Sequence, residues 1–485
     1  MIAPCPSARE TAADVRAGRI TARSVVEETL ARIARLDPAL NAFTVVRAQA
    51  ALAEADALDA HGPHQGPLAG VPIAVKEEYD VAGDVTSLGG AANTRPASRD
   101  CETIRRLREA GAVIVGRTNM PEFGQVPAGE SEHHGATLNP WDLSRSPGGS
   151  SAGSAVAVAA GIVPIAMGAD GGGSLRIPAS ACGVFGLKPT RGRVSSAPLA
   201  EHWHGLATFG AITRTAEDMA LVMEVISGND PVDRWRVVEA GTGARGADED
   251  SSWDEAGAVP TVLSAPGVLA APDRPLRILV ATPSIMPGAH PSPEVAEAIR
   301  GFAERLGAAG HDVREGRVRW PWATAPFLAL YAAGVYEESR QVDDPKALAS
   351  TTRTIAAVGA RVRPWAVRAA ERSAERMRLR VQEAFGGADL ILIPTLLGEP
   401  GGAHDLEGRN ALSALAASTP VVSNTALFNV TGHPAASMFA GLTPEGLPVG
   451  AQVVARSGCE GLILRLARDL DAHGGVSGPV PPIAR

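Results

Sequence analysis

The chain has 485 residues, of which 45% are hydrophobic and 20% charged. That is enough apolar side chain for a large folded core, at several times the commonest domain length. A formal charge of −8 argues against a nucleic acid or an anionic membrane surface as partner, because both attract basic surfaces. With 53 glycines and 37 prolines, the chain stays below the level that marks low-complexity disorder.

In chain order, Thr21 caps a helix whose apolar face is Val26, Leu30 and Ile33, and Pro38 is expected to stop it. A second helix is expected from about Arg47 to Ala60. Short β-branched runs follow at Val71–Val75 and Ala112–Val115, with a helical stretch Glu102–Ala110 between them. Ser154–Ala160 reads as a small-residue helix, and Val163–Met167 as a strand leading into a glycine cluster. Strands are expected at Ile278–Ala281, Leu390–Ile393 and Gln452–Val454, with long helices near 293–309 and 360–384. This alternation predicts an α/β architecture around a mixed or parallel sheet. The acidic, Gly/Ala/Pro-rich stretch from about 241 to 272 reads as a surface excursion or linker that need not separate two independent domains.

The opening MIAPCPSARETAADVRAGR lacks the apolar run of a secretory signal. The longest apolar run, Ala155 to Met167, carries Gly161 and Pro164 and is too short to span a bilayer. Cys5, Cys101, Cys182 and Cys459 are scattered without metal or disulfide spacing. A reduced, cytoplasmic protein is expected, with no metal and no organic cofactor.

Several motifs fail on context. Gly241–Gly246 matches GxGxxG, but the acidic stretch after it supplies no helix for a pyrophosphate. There is no GxxxxGK[ST] and no HExxH. His202 and His204 form an HxH pair without a third ligand placed by spacing. Gly149–Gly153 matches the GxSxG elbow with Ser151 as nucleophile, and His404 or His433 could complete it, which makes an α/β-hydrolase-type esterase the competing enzyme reading.

Three segments carry more together than any does alone. They are Gly70-Val-Pro-Ile-Ala-Val-Lys76-Glu-Glu, Arg145-Ser-Pro-Gly-Gly-Ser150-Ser151-Ala-Gly-Ser154 and Gly168-Ala-Asp-Gly-Gly-Gly-Ser174-Leu-Arg176-Ile-Pro-Ala. Only Lys76, Lys188 and Lys346 stand among 45 basic residues. A lysine kept at the end of an apolar strand therefore invites a chemical explanation, since Lys, unlike Arg, can be held neutral by burial. A neutral lysine can serve as the base that a weak serine nucleophile needs. Consecutive glycines let backbone N–H groups converge on an oxyanion. Spacing alone leaves open which serine attacks.

The same segments resemble the amidase signature family, nearly continuously from Gly70 to Ser196. The similarity includes GRTNMPEFG at 116–124, NPWD at 139–142, RSPGGSSAGSAVAVAAG at 145–161 and GADGGGSLRIPASACGVFGLKPTRGRVS at 168–195, and resumes with ALFNVTGHPA at 426–435 and GLPVGAQVV at 446–454. The resemblance implies one α/β/α amidase domain over residues 1–485, with a central mixed sheet of about eleven strands. Its signature core lies at about 65–200, and its substrate-side helices and final strands at about 276–473. It implies a serine amidohydrolase acting on a small-molecule amide, with Ser174 as nucleophile, Ser150 after a cis peptide as bridge and Lys76 as base. It also implies an oxyanion hole from the N–H groups of Gly171, Gly172, Gly173 and Ser174. Asp170 and Arg176 would pair to brace that loop, and Ser151 would be a local hydrogen-bonding neighbour.

Gly171 stands where many members carry Thr, Ala152 replaces a frequent Gly, and Glu77 a frequent Asp. Gly171 is expected to widen the site. The loop 125–132, with Gln125, and the helices near 325–375 are expected to shape the substrate pocket, with Trp320, Trp322, Phe327 and Tyr331 as its candidate wall. A glutamine amidotransferase A-subunit, a binding protein on the same scaffold and a homodimeric assembly remain open.

Overall fold

The computed structural model describes residues 5–60, 62, 66–237, 274–282 and 284–484. The stretch 241–272 and its GxGxxG match lie outside the described residues.

In chain order the strands are β1 (Phe43–Val46), β2 (Pro72–Lys76), β3 (Val113–Thr118), β4 (Glu130–Ser131), β5 (Gly135–Ala136), β6 (Ile165–Asp170), β7 (Phe185–Lys188), β8 (Thr208–Thr213), β9 (Arg277–Thr282), β10 (Asp312–Arg317), β11 (Leu390–Pro394), β12 (Ala435–Leu442) and β13 (Pro448–Ala455). Strands β4 and β5 form a separate hairpin, and the other eleven form one sheet in the order β1-β3-β2-β6-β8-β7-β12-β13-β11-β9-β10. Strands β3, β2 and β6 run parallel, as do β10, β9 and β11, while β8, β7, β12 and β13 join the two groups antiparallel. The sheet is mixed, one of the two forms the α/β reading allowed and the one the family resemblance implied. It is also continuous across the chain: Ala435 on β12 stands opposite Lys188 on β7.

Strands β2, β3 and β6 are buried at every position, as expected of parallel strands covered on both faces. One face packs Ile73, Val75, Ile114 and Met167 against Leu107, Met219 and Leu466. On the other face Ala74, Val113 and Ala166 meet Val26, Ile33 and the helix Ala152–Ala159. That helix is small-residued because all eight of its positions are buried. Its Ser154 Oγ donates to Met167 O at 2.8 Å.

Pro38 does not stop the first long helix, which runs Ala22–Leu40 with Thr21 capping it through Ser24 N. Proline costs a helix its interior hydrogen bond, yet the end here is fixed three residues later by Asn41 at φ 50°, whose N–H donates to Asp37 O. Asp37 Oδ1 then receives the N–H groups of Ala42 and Phe43.

Candidate active site

The parallel strands deliver the chemistry at their C-terminal ends. Lys76 closes β2, in register with Thr118 of β3, and β6 ends at Asp170, directly before the glycines and Ser174. Lys76 is 1% exposed and donates from Nζ to Ser150 Oγ at 2.8 Å. The same Nζ lies 3.0 Å from Glu78 Oε1. Ser150 is buried and follows a cis Gly149–Ser150 peptide. Gly124, the last residue of the GRTNMPEFG segment, packs against the Ser150 hydroxyl.

Ser174 borders a cavity of about 160 Å³. Its carbonyl accepts from Ser151 N at 3.2 Å, and the buried Ser151 hydroxyl donates to Ala169 O at 3.1 Å. Neither candidate histidine shares a hydrogen bond with Ser151 among the described residues. His433 is buried against Thr431 and Gln382, and His404 lies on the surface beside Glu407.

Asp170 and Arg176 are paired, as anticipated. Arg176 also reaches Thr425 O, Gln452 Oε1 and Asn429 Oδ1. Burial pushes the Asp170 carboxyl up, but the Arg176 guanidinium outweighs it and, helped by Lys188 and Asn429, holds the group well below the usual carboxylate range.

One donor of the expected oxyanion hole is taken. Gly173 N–H donates to Asp170 Oδ1 at 2.7 Å, so Gly173 serves the brace. The N–H groups of Gly171, Gly172 and Ser174 meet no acceptor among the described residues. Gly173 is nonetheless fixed as glycine: at φ 135° a methyl there would lie 2.4 Å from Thr425 Oγ1.

The space beside Gly171 is not open, contrary to the expectation that this glycine widens the site. A methyl on Gly171 would meet the Trp203 ring at 3.0 Å, and one on Gly172 would meet Phe327 at 3.1 Å. Trp203 is buried at φ 49° and stands edge-on to Tyr331, which stacks with Phe327. Gln125, Trp322, Phe327 and Tyr331 line the cavity with Ser174. Trp320 does not: it packs edge-on against Phe428, 6.0 Å between ring centroids, in the core below. Sequence reasoning missed Trp203, Thr425, Asn429 and Glu78. Thr425 and Asn429 carried a signal, lying in or beside ALFNVTGHPA, and so did Glu78, which ends the GVPIAVKEE segment that holds Lys76. A second, larger cavity of about 890 Å³ adjoins the first through Gln125, Val126, Tyr331 and Leu415.

His202 and His204 point to different partners, His202 to Glu338 and His204 to Glu201 and Glu337.

A mixed eleven-stranded sheet with a buried Lys–Ser pair beside a glycine-flanked serine defines a serine-hydrolase type of site. The amidase family model matches residues 24–464. A Mycobacterium tuberculosis protein bearing the amidase name AmiA2 is 36% identical over 472 residues, covering 96% of this chain and 92% of that one. The 6-aminohexanoate-cyclic-dimer hydrolase of Paenarthrobacter ureafaciens is 34% identical, covering 97% and 94%. A solved structure of a 6-aminohexanoate cyclic dimer hydrolase superposes with TM-score 0.85 at 30% identity, covering 100% of this chain and 99% of that one. The chain belongs to the amidase family, and it is an enzyme that hydrolyses carbon–nitrogen amide bonds.

Proposed function

We propose that the enzyme cleaves an amide with an apolar segment next to the scissile bond, through an acyl-enzyme on Ser174. The observation that carries this reading is the 2.8 Å contact from Lys76 Nζ to Ser150 Oγ in a buried setting. Ser174 Oγ attacks the carbonyl and passes its proton to Ser150, whose own proton goes to Lys76 as the base. The proton returns along the same path to the leaving amine, and water repeats the cycle on the ester. The N–H groups of Gly171, Gly172 and Ser174 receive the oxyanion, with Asp170 and Arg176 fixing the loop.

The apolar preference rests on the cavity wall, where apolar side chains, among them Val126, Trp203, Phe327, Leu328 and Val422, outnumber the polar ones. The adjoining larger cavity leaves room for an extended amide such as a short oligoamide. Gln125 sits between the two spaces, with its Nε2 held by Thr352 Oγ1 at 2.6 Å. We further read the chain as a single amidase domain working in the cytoplasm; among the described residues no helix is long and apolar enough to cross a membrane.

Fluorophosphonate treatment followed by peptide mapping tests the assignment. An adduct on Ser174 that is lost in Lys76→Ala is expected. An adduct on Ser151 that survives the Lys76 change would overturn it.

A further inference from the structure

Lys76 has two neighbours of opposite kind. Ser150 Oγ accepts from its Nζ at 2.8 Å, and Glu78 Oε1 lies 3.0 Å from the same nitrogen. The side chains of Lys76 and Glu78 are 1% and 5% exposed, so water does little to screen the pair. The contact follows from a local turn. Tyr79 N–H donates to Lys76 O at 3.1 Å, which folds residue 78 back over the strand end. Glu77, the adjacent carboxylate, is turned away to Ser87 and Arg117. Glu78 Oε1 has no hydrogen-bond partner among the described residues, and Lys76 Nζ is the nitrogen placed against it.

Two further groups, Tyr79 and His202, face this pair, and Glu338 holds the second of them. Tyr79 is buried, and burial, with Glu78 adding to it, keeps its phenol protonated well past the ordinary range. His202, from the segment before Trp203, is pulled down by burial but raised on balance by Glu338 and Glu78, with Lys76 opposing. Glu338, on the helix Thr324–Ser339, holds His202 Nε2 at 2.7 Å.

We propose that Glu78 is a positioning residue for the Lys76 base, extending the relay to Glu78–Lys76–Ser150–Ser174. Its carboxylate aims Nζ at Ser150 and stabilises the ammonium that forms when the Ser174 proton arrives. This is the role that a buried aspartate plays towards histidine in the Ser-His-Asp triad. The proton count is unchanged: Lys76 takes one proton during attack and returns it to the amine, and Glu78 keeps none. The inference rests on the Ser174 reading above.

The pH profile of kcat/KM separates this role from a structural one. A carboxylate beside the base favours its charged form in the resting enzyme as well as in the transition state. Glu78→Gln should therefore lower the plateau at least about tenfold, while moving the acid limb to lower pH by about 1–3 units. Glu78→Asp, which keeps the charge, should recover part of the plateau and return the limb towards the parent position. Glu78→Met repeats the test with charge removed and volume kept, should the amide not be accepted. A folded Glu78→Gln or Glu78→Met enzyme whose acid limb stays in place, with the fluorophosphonate still on Ser174, overturns the role of Glu78. An adduct elsewhere than Ser174 overturns the relay itself.

Discussion

Arg176 grips Asp170 with two hydrogen bonds, Nε to Oδ2 at 2.9 Å and a terminal nitrogen to Oδ1 at 2.8 Å, with both side chains fully buried. The two residues bracket the glycines and Ser174, so this pair sets the curvature of the Ser174 loop. Asp170 also receives the N–H groups of Gly173 and Leu175. Replacing Arg176 by Met should leave a buried carboxylate without its counter-charge, at a cost of about 3–5 kcal/mol. Urea unfolding of the two proteins measures this directly, and a loss below about 1 kcal/mol would mean that the loop is held by other contacts.

The glycines should differ in their tolerance. Gly173→Ala combines a disallowed φ with a 2.4 Å approach to Thr425 Oγ1, and should reduce turnover about 100-fold or more by displacing the Ser174 N–H. Gly171→Ala meets only the edge of a ring at 3.0 Å, so a small shift of Trp203 should relieve it and a smaller loss is expected. Steady-state rates on one aryl amide rank the two. Equal losses would argue against the brace described for Gly173.

Phe327 and Tyr331 stack with ring planes 6° apart and 5.9 Å between centroids. Phe327→Ala should widen the cavity beside Gly172. Discrimination between long and short acyl chains should then change about 10–100-fold in kcat/KM, while Trp320→Ala, outside the cavity, should leave that ratio alone. A series of acyl amides of increasing length is the measurement. A shift of the ratio by Trp320→Ala would contradict the placement of its ring.

Stability should fall with acid for a specific reason. Burial, together with the Lys188 charge, lowers the His433 imidazole from 6.5 to about 3. The unfolded chain thus binds the extra proton first, and the contribution is lost as pH falls from 6.5 through about 3. Asp170, lowered by Arg176, loses its contribution in the same direction, below the ordinary carboxylate range. Thermal melts between pH 7 and 3 should be less steep for His433→Gln than for the parent chain. Parallel curves would show that His433 is not the group responsible.

Lys188 acts over a different window. Burial, reinforced by Arg176, lowers its ammonium from 10.5 to about 7, while its Nζ donates to Pro189 O at 2.7 Å. Its folded value lies below its unfolded one, so its contribution is complete above 10.5 and disappears as pH falls through about 7. Lys188→Met should flatten the rise in melting temperature from pH 7 to 10. An unchanged slope would show that the ammonium is not suppressed.

Strand positions near the site were legible because fully buried parallel strands read as apolar runs: Val71–Val75 and Ala112–Val115 anticipate β2 and β3 within a few residues. Strands β7, β8 and β12 escaped notice, since Phe185-Gly-Leu-Lys188 and Thr208-Phe-Gly-Ala-Ile-Thr213 carry glycines where close packing forbids a side chain. A methyl on Gly210 would lie 2.4 Å from Leu187 O. Pro38 misled because the helix end is fixed by Asn41 and Asp37, not by the proline.

By itself the sequence pointed to the family and the α/β class, and it singled out Lys76, Ser150, Ser174, Asp170 and Arg176 as candidates, because contiguous motifs keep chemistry and local backbone together. The tertiary structure alone decided what surrounds them. Trp203 fills the space that Gly171 leaves, Gly173 gives its N–H to Asp170, Trp320 turns into the core, and Glu78 folds back onto Lys76. Those are relations of distance between side chains on different elements, or across a turn, and residue order does not encode a distance until the sheet has brought the strand ends together.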